Sequence, residues 1–223
     1  MINKIKKVVI ISPHPDDETL GVGGTIARLI ESGIDVSILQ VSGHLPPLYD
    51  RSHFEVTKQE AIKAFSVLGV NSYEFMEIPA TQVHNIPVAT LNKGITDFIM
   101  KNSPEMVLLP FPDRHIDHRT IFDASVVSCR PNRKGAPKFV FAYETLSETH
   151  WNVPGIEPHF APEVFFDISN TLSKKIQALN CYQSQIKNNT SRSVEAVEAL
   201  AKFRGSQNGF EYAEAFKVVR INV

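Results

Sequence analysis

An α/β class with a Rossmann-like, mostly parallel sheet and helices on both faces follows from two patterns in the 223-residue chain. Short, continuously apolar, β-branched runs recur along the first half, and segments with helical spacing of apolar residues separate them. Strands joined by helical crossovers pair in parallel, and right-handed crossovers lay the helices over both faces. With 43% hydrophobic and 21% charged residues the chain reads as soluble and globular, and its length fits one domain over 1–223.

Taken in order, KKVVIIS (6–12) reads as a buried strand, TLGVGGTIARLIESG (19–33) as a helix ending at Gly33, and DVSILQVSG (35–43) as a second strand. FEVTKQEAIKAFSVLGV (54–70) reads as a helix stopped near Gly69, YEFMEIP (73–79) as a short strand, and VATLNKGITDFIMKN (88–102) as a helix running into Ser103-Pro104. EMVLLPFP (105–112) supplies another buried strand. The last third is less regular: KFVFAYE, EVFFDIS and AFKVVRI read as strands, SNTLSKKIQALNCYQSQ (169–185) and EAVEALAKFRG (195–205) as helices. GHLPPLYDRSHFEV (43–56), rich in proline and aromatics, reads as a loop over the strand ends.

Bulk properties narrow the partners. A formal net charge of -1, with no basic stripe beyond Lys4, Lys6 and Lys7, argues against nucleic acid. No stretch approaches the roughly 18 apolar residues of a transmembrane segment, and the run from Val8 to Ile11 is too short for a signal-peptide core. The two cysteines, Cys129 and Cys181, stand far apart and outside every motif, which suits a reduced, cytoplasmic setting and gives no thiolate metal site.

Chemistry concentrates in two clusters. SPHPDDETLGVGG sets His14, Asp16, Asp17 and Glu18 at the carboxyl end of the first strand, where open α/β sheets hold ligands. One aspartate would suffice to cap the following helix; a histidine and three acids exceed that need, and adjacent like charges call for a cation or a proton. PFPDRHIDHR follows a second candidate parallel strand and carries Asp113, Arg114, His115, Asp117 and His118 in what reads as a loop. Borderline cations such as zinc take imidazole and carboxylate, three protein ligands leaving a position for water, and His14, one aspartate and His118 supply that set. The glycines at 21, 23 and 24 depart from the dinucleotide fingerprint and follow acids that repel pyrophosphate, so close helix packing explains them better. Trp151 suits a sugar face, a core or a rim equally.

The pair HPDDE and HxDH, together with SVLGV, ALNCYQSQ and FRG…YAEAF, resembles the PIG-L or LmbE-like family of zinc deacetylases acting on N-acetylated amino sugars. The resemblance implies His14, Asp17 and His118 as ligands of Zn2+, Asp16 as general base, His115 as the histidine that stabilises or protonates the tetrahedral species, and Asp117 as the residue orienting His115. It implies a small N-acetylated sugar as substrate. The arginine that family members often carry three residues before the second-helix glutamate falls on Thr57; Lys58 one residue on, Arg51 further upstream and Arg114 are the candidate cations for substrate contact. Two other readings of the clusters are a metal-dependent phosphoesterase and a non-enzymatic, metal-bearing Rossmann-like binding module. A spare carboxylate such as Asp16 speaks against the latter.

Overall fold

The computed structural model describes residues 5–153 and 155–223; Lys4 of the basic cluster lies outside them. The apolar runs form β1 (Lys7–Ser12), β2 (Asp35–Gly43), β3 (Ser72–Pro79), β4 (Met106–Pro110) and β5 (Phe139–Tyr143), and these pair in parallel. Two further strands, β6 (Val164–Asp167) and β7 (Ala213–Ile221), complete a seven-stranded sheet in the order β3-β2-β1-β4-β5-β7-β6. β7 runs antiparallel to both β5 and β6, so the sheet is mixed at one edge and parallel elsewhere.

Among the described residues seven α-helices cover it: α1 (Asp17–Glu31), α2 (Arg51–Leu68), α3 (Val88–Asn102), α4 (Ile116–Ser128), α5 (Leu172–Leu179), α6 (Gln183–Ile186) and α7 (Val194–Ser206). Because side chains alternate across a strand, each central strand feeds two cores. Val8, Ile10, Met106 and Leu108 pack with Ile26, Ala64, Phe65 and Ala178 of α1, α2 and α5. Val9, Ile11, Val107 and Leu109 pack with Leu91, Ile95, Ile121 and Ala124 of α3 and α4 on the other face. Both faces are covered, which is why these strands are apolar throughout rather than alternating. No helix among the described residues is long and apolar enough to cross a membrane.

Four elements depart from the sequence reading. HIDHR is not a loop: His115 is the N-cap of α4, and the helix carries Ile116 to Ser128. Its many β-branched residues (Ile116, Thr120, Ile121, Val126, Val127) are poor helix formers, and packing of Ile121 and Ala124 overrides that propensity. The expected helix over 169–185 is two, α5 and α6, separated by a turn that buries Tyr182. The segment after β2 is a loop only to Asp50, since α2 begins at Arg51.

The fourth departure positions the chemistry. α1 starts at Asp17, two residues before the apolar pattern, and breaks at Val22, whose φ of -138° is not helical. A break leaves backbone groups without partners on both sides. A buried ion pair satisfies them: Lys175 Nζ donates to the Leu20 carbonyl at 2.8 Å, and the Glu214 carboxylate accepts from Gly24 N and Thr25 N at 3.0 and 2.7 Å. Lys175 and Glu214 meet at 2.6 Å. The glycines allow this segment to lie close to its neighbours: a Cβ on Gly21 would stand 2.3 Å from the Tyr143 ring, and one on Gly24 2.8 Å from Ile168.

Lys175→Met should therefore leave a buried carboxylate and the Leu20 carbonyl unpaired, a loss of about 3–5 kcal/mol in chemical denaturation. A loss below about 1 kcal/mol would show that the pair does not hold the break.

Candidate metal centre and active site

The strand order reverses direction at β1: the chain moves outward from β1 to β2 and β3, then returns to place β4 on the other side of β1. Such a switch point leaves a crevice outside the carboxyl ends of the two strands, because their following segments diverge. Ser12 ends β1 and Pro110 ends β4, so HPDDE and PDRHIDH enter that crevice together.

Asp16, the N-cap of α1, has φ 115°, a left-handed conformation that non-glycine residues adopt at a cost of about 1–3 kcal/mol. The turn sends consecutive acids in different directions. Asp17 Oδ2 lies 3.1 Å from His14 Nδ1 and 3.1 Å from His118 Nε2, and accepts from His14 N at 2.9 Å. Asp16 Oδ2 instead meets Arg192 Nη1 at 2.9 Å, while its Oδ1 is buried without a partner. Glu18 turns beneath them, accepting from the hydroxyls of Ser12, Thr19 and Tyr182 at 3.1, 2.7 and 2.6 Å. It serves as the buried floor of the loop, with no imidazole among these partners.

Each of the two converging imidazoles is held from behind. His118 Nδ1 lies 3.0 Å from Asp113 Oδ2, which also accepts from Thr149 Oγ1 at 2.9 Å. His14 Nε2 lies 3.0 Å from Asp117 Oδ2, which accepts from Thr81 N at 2.6 Å. Carboxylates in this position fix the ring and raise the basicity of the opposite nitrogen, the arrangement common behind metal-binding histidines. Asp117 thus supports His14 and not His115 as expected: its carboxylate stands 3.9 Å from His115 Nδ1, and that nitrogen accepts from the Asp117 backbone N–H at 3.1 Å. The reason is local, since capping α4 occupies Nδ1 with a main-chain donor. His115 completes the cluster with ring centroids 4.6 Å from His14 and 5.2 Å from His118.

The electrostatics follow from burial and pairing. Burial opposes charge on His118, yet Asp17 and Asp113 raise it well above the usual imidazole range. His14 is likewise raised to about 9, burial being outweighed by Asp117 and Asp17. Asp17 is held well below the carboxylate range, the cost of burial being overcome by His118 and His14. Burial, offset only in part by Arg192, pushes Asp16 well up. His115 is lowered to about 4 by burial and by the neighbouring His14 and His118 charges.

Could these residues hold a divalent cation? Asp16, Asp17, Glu18, Asp113 and Asp117 are all buried, and Arg192 balances only part of their charge, so the crevice favours a positive occupant. His14 Nδ1, His118 Nε2 and Asp17 Oδ2 are imidazole and carboxylate donors meeting at one place, the donor chemistry that suits zinc and similar ions. His14, His115 and His118 also form a group whose donor atoms all lie within 4.8 Å of one another. The three histidines could hold a single ion, and Asp17 Oδ2 touches two of them.

The cations expected to meet substrate face elsewhere. Arg51, 61% exposed, pairs with Glu55 and Glu77; Arg114 pairs with Glu157 at 2.5 Å. Arg192, from a single-turn 3-10 helix (Thr190–Arg192), is the arginine that enters the site, and the sequence gives no local signal for it because 176 positions separate it from Asp16. Its Nη1 also donates to Gln185 at 3.2 Å, and Gln185 lines a cleft of about 450 Å³ with His44, Tyr49, His53, Thr57 and Ser184. Trp151 stands at the surface, 63% exposed, on the turn whose Thr149 braces Asp113.

Residues 9–128 match the family model described as PIG-L: GlcNAc-PI de-N-acetylase. Over 244 aligned residues the chain is 29% identical to diacetylchitobiose deacetylase of Thermococcus kodakarensis, covering 97% of this chain and 84% of that protein. Among solved structures it resembles N,N'-diacetylchitobiose deacetylase from Pyrococcus horikoshii with a TM-score of 0.79 at 23% identity, covering 98% and 85% of the two chains. The fold is shared with GalB, the 4-carboxy-2-hydroxymuconate hydratase of Pseudomonas putida, at a TM-score of 0.74, 22% identity and 98% coverage of both chains.

Removing the carboxylate behind one imidazole tests the centre without touching a donor. Asp113→Ala should weaken binding of a divalent cation about 10- to 100-fold by competitive chelator titration, as losses of such supporting carboxylates do. Unchanged affinity would remove His118 from the set.

Proposed function

The chain belongs to the PIG-L family, and on that premise we propose that it is a zinc-dependent hydrolase removing the acetyl group from an N-acetylated amino sugar or its conjugate. The observation that carries this reading is the division of labour between neighbours: Asp17 meets both imidazoles, while Asp16 beside it keeps an unpartnered oxygen. A site that only bound metal would need the first carboxylate and not the second. Likeness of fold alone does not choose the reaction, since a hydratase shares it.

In this reading His14, Asp17 and His118 hold the ion, supported by Asp117 and Asp113. The bound ion supplies Lewis-acid polarisation of the amide carbonyl and acidifies water. Asp16 Oδ1 accepts the proton of the attacking water. His115 contributes as a neutral ring: with Nδ1 accepting the Asp117 N–H, its proton sits on Nε2, which donates a hydrogen bond to the carbonyl oxygen as charge develops there. Of the two roles that the resemblance implies for His115, stabilising or protonating the tetrahedral species, this tautomer favours the first. Water oxygen bonds to the carbonyl carbon, the C–N bond breaks, and Asp16 returns its proton to nitrogen, giving acetate and the free amine.

The relatives named as diacetylchitobiose deacetylases and a cleft whose lining among the described residues, with His44, Tyr49, His53, Thr57, Ser184 and Gln185, has no lysine, arginine or carboxylate side chain support a neutral sugar as substrate. A phosphoesterase is less well supported, because two-metal phosphoesterase sites use more ligands than this cluster offers and Arg192 is already paired with Asp16 and Glu148. The unpaired state of both cysteines supports a reducing, cytoplasmic location, and the sheet running from Lys7 to Ile221 supports one deacetylase domain.

Paired variants test the roles. Asp16→Asn should keep about one zinc per chain by elemental analysis while turnover falls by roughly two to four orders of magnitude. Asp17→Asn should lose both metal and turnover, with partial rescue by excess zinc. Loss of zinc from Asp16→Asn with retention in Asp17→Asn would exchange the roles. Across a panel of N-acetylated monosaccharides, oligosaccharides, glycosides and nucleotide sugars, the expected result is acetate and amine from neutral members; cleavage of a phosphomonoester instead would install the phosphoesterase.

A further inference from the structure

We infer that Arg192 is a positioning residue for the reaction: its guanidinium fixes one oxygen of Asp16 and so aims the other at the attacking water. The inference rests on the reading of Asp16 as the base.

The contacts are specific. Arg192 Nη1 donates to Asp16 Oδ2 at 2.9 Å and to Gln185 Oε1 at 3.2 Å, and Nη2 lies 3.5 Å from Glu148 Oε1. Its Nε is buried without a partner. Two carboxylates and an amide thus occupy the outer nitrogens, which leaves little of this cation for an anionic substrate group. The segment that presents it is itself braced: Asn189 Oδ1 accepts from Ser191 N at 3.2 Å and Ser191 Oγ at 2.7 Å, and Ser193 Oγ caps α7 by accepting from Ala196 N at 3.2 Å.

Asp16 needs such a hold. The last torsion of an aspartate is broad and roughly two-fold, so a carboxylate without an anchor samples many orientations. Backbone on a left-handed turn sets where the group starts, and one strong, charge-assisted hydrogen bond sets its plane. Oδ1 is buried and unpaired, a state that costs a polar atom about 1–3 kcal/mol and leaves its lone pairs free to accept from a water. A planar two-pronged cation bridging Asp16 and Glu148 suits this task better than a lysine, whose ammonium is a mobile point charge.

Steady-state kinetics and zinc analysis on Arg192→Gln and Arg192→Lys test the inference. Arg192→Gln should lower kcat about 100-fold, the scale of a misaimed catalytic group, with KM nearly unchanged and zinc retained. Arg192→Lys should recover part of kcat. Millimolar guanidinium should restore turnover to Arg192→Ala and have no effect on Asp16→Asn. A rise in KM with kcat intact would make Arg192 a substrate contact and overturn the proposal; so would loss of zinc, or full kcat in Arg192→Gln. Full activity in Asp16→Asn would instead overturn the assignment of the base, a result separable from any obtained with Arg192.

Discussion

The whole site depends on how a surplus of buried negative charge is compensated at the switch point between β1 and β4. Three consecutive acids, Asp16, Asp17 and Glu18, leave β1 into an interior where unpaired charge is expensive. Each receives a different partner: a guanidinium for Asp16, two imidazoles for Asp17, three hydroxyls for Glu18. The partners come from α4, from the turn after α5 and from the 3-10 turn before α7, so satisfying three neighbours ties distant parts of the chain to one loop. Structural and chemical demands coincide here, because every group that neutralises an acid also aims it.

The kink in α1 is the geometric counterpart of that demand. A continuous helix from Asp17 would run on a single axis, yet its first turn must serve the crevice while the remainder packs on the sheet. Breaking it at Val22 divides the two tasks, and the Lys175–Glu214 pair satisfies the freed backbone groups. Glu214 belongs to β7, the strand that turns the sheet antiparallel. The irregular C-terminal third is therefore part of the support beneath the reactive loop, and the small residues at 21 and 24 let the broken helix sit within contact of Tyr143 and Ile168.

Much of this was legible in the sequence, and what was not has a common cause. Strands β1 to β5 and helices α2 and α3 show themselves because local composition and packing agree. The two acidic clusters were legible as a site because charges of one sign cannot crowd together without purpose. α4 was hidden by β-branched residues that tertiary packing makes helical, and the break before Tyr182 by a periodic pattern that continues through it. Arg192, Tyr182 and Thr149 carry no local signature at all; their roles exist only in contacts across 36 to 176 positions. The partner of Asp117 is a subtler case. The family resemblance implies His115, but a capped helix terminus spends His115 Nδ1 on the backbone and turns the Asp117 carboxylate to His14.

That detail reorganises the acid–base chemistry. An imidazole whose Nδ1 accepts from a main-chain N–H keeps its proton on Nε2 and offers one donor. In the proposed mechanism such a ring would stabilise an oxyanion without having a proton to spare for the amine. The proton taken from water would then be the one that reaches nitrogen, with a single group taking it up and giving it back. Asp16 suits that double task for reasons of placement: one oxygen anchored so that the carboxylate does not wander, the other free, and no second partner competing for it. The costly left-handed turn at Asp16 belongs to the same arrangement, since there Asp16 meets Arg192 while Asp17 meets His14 and His118.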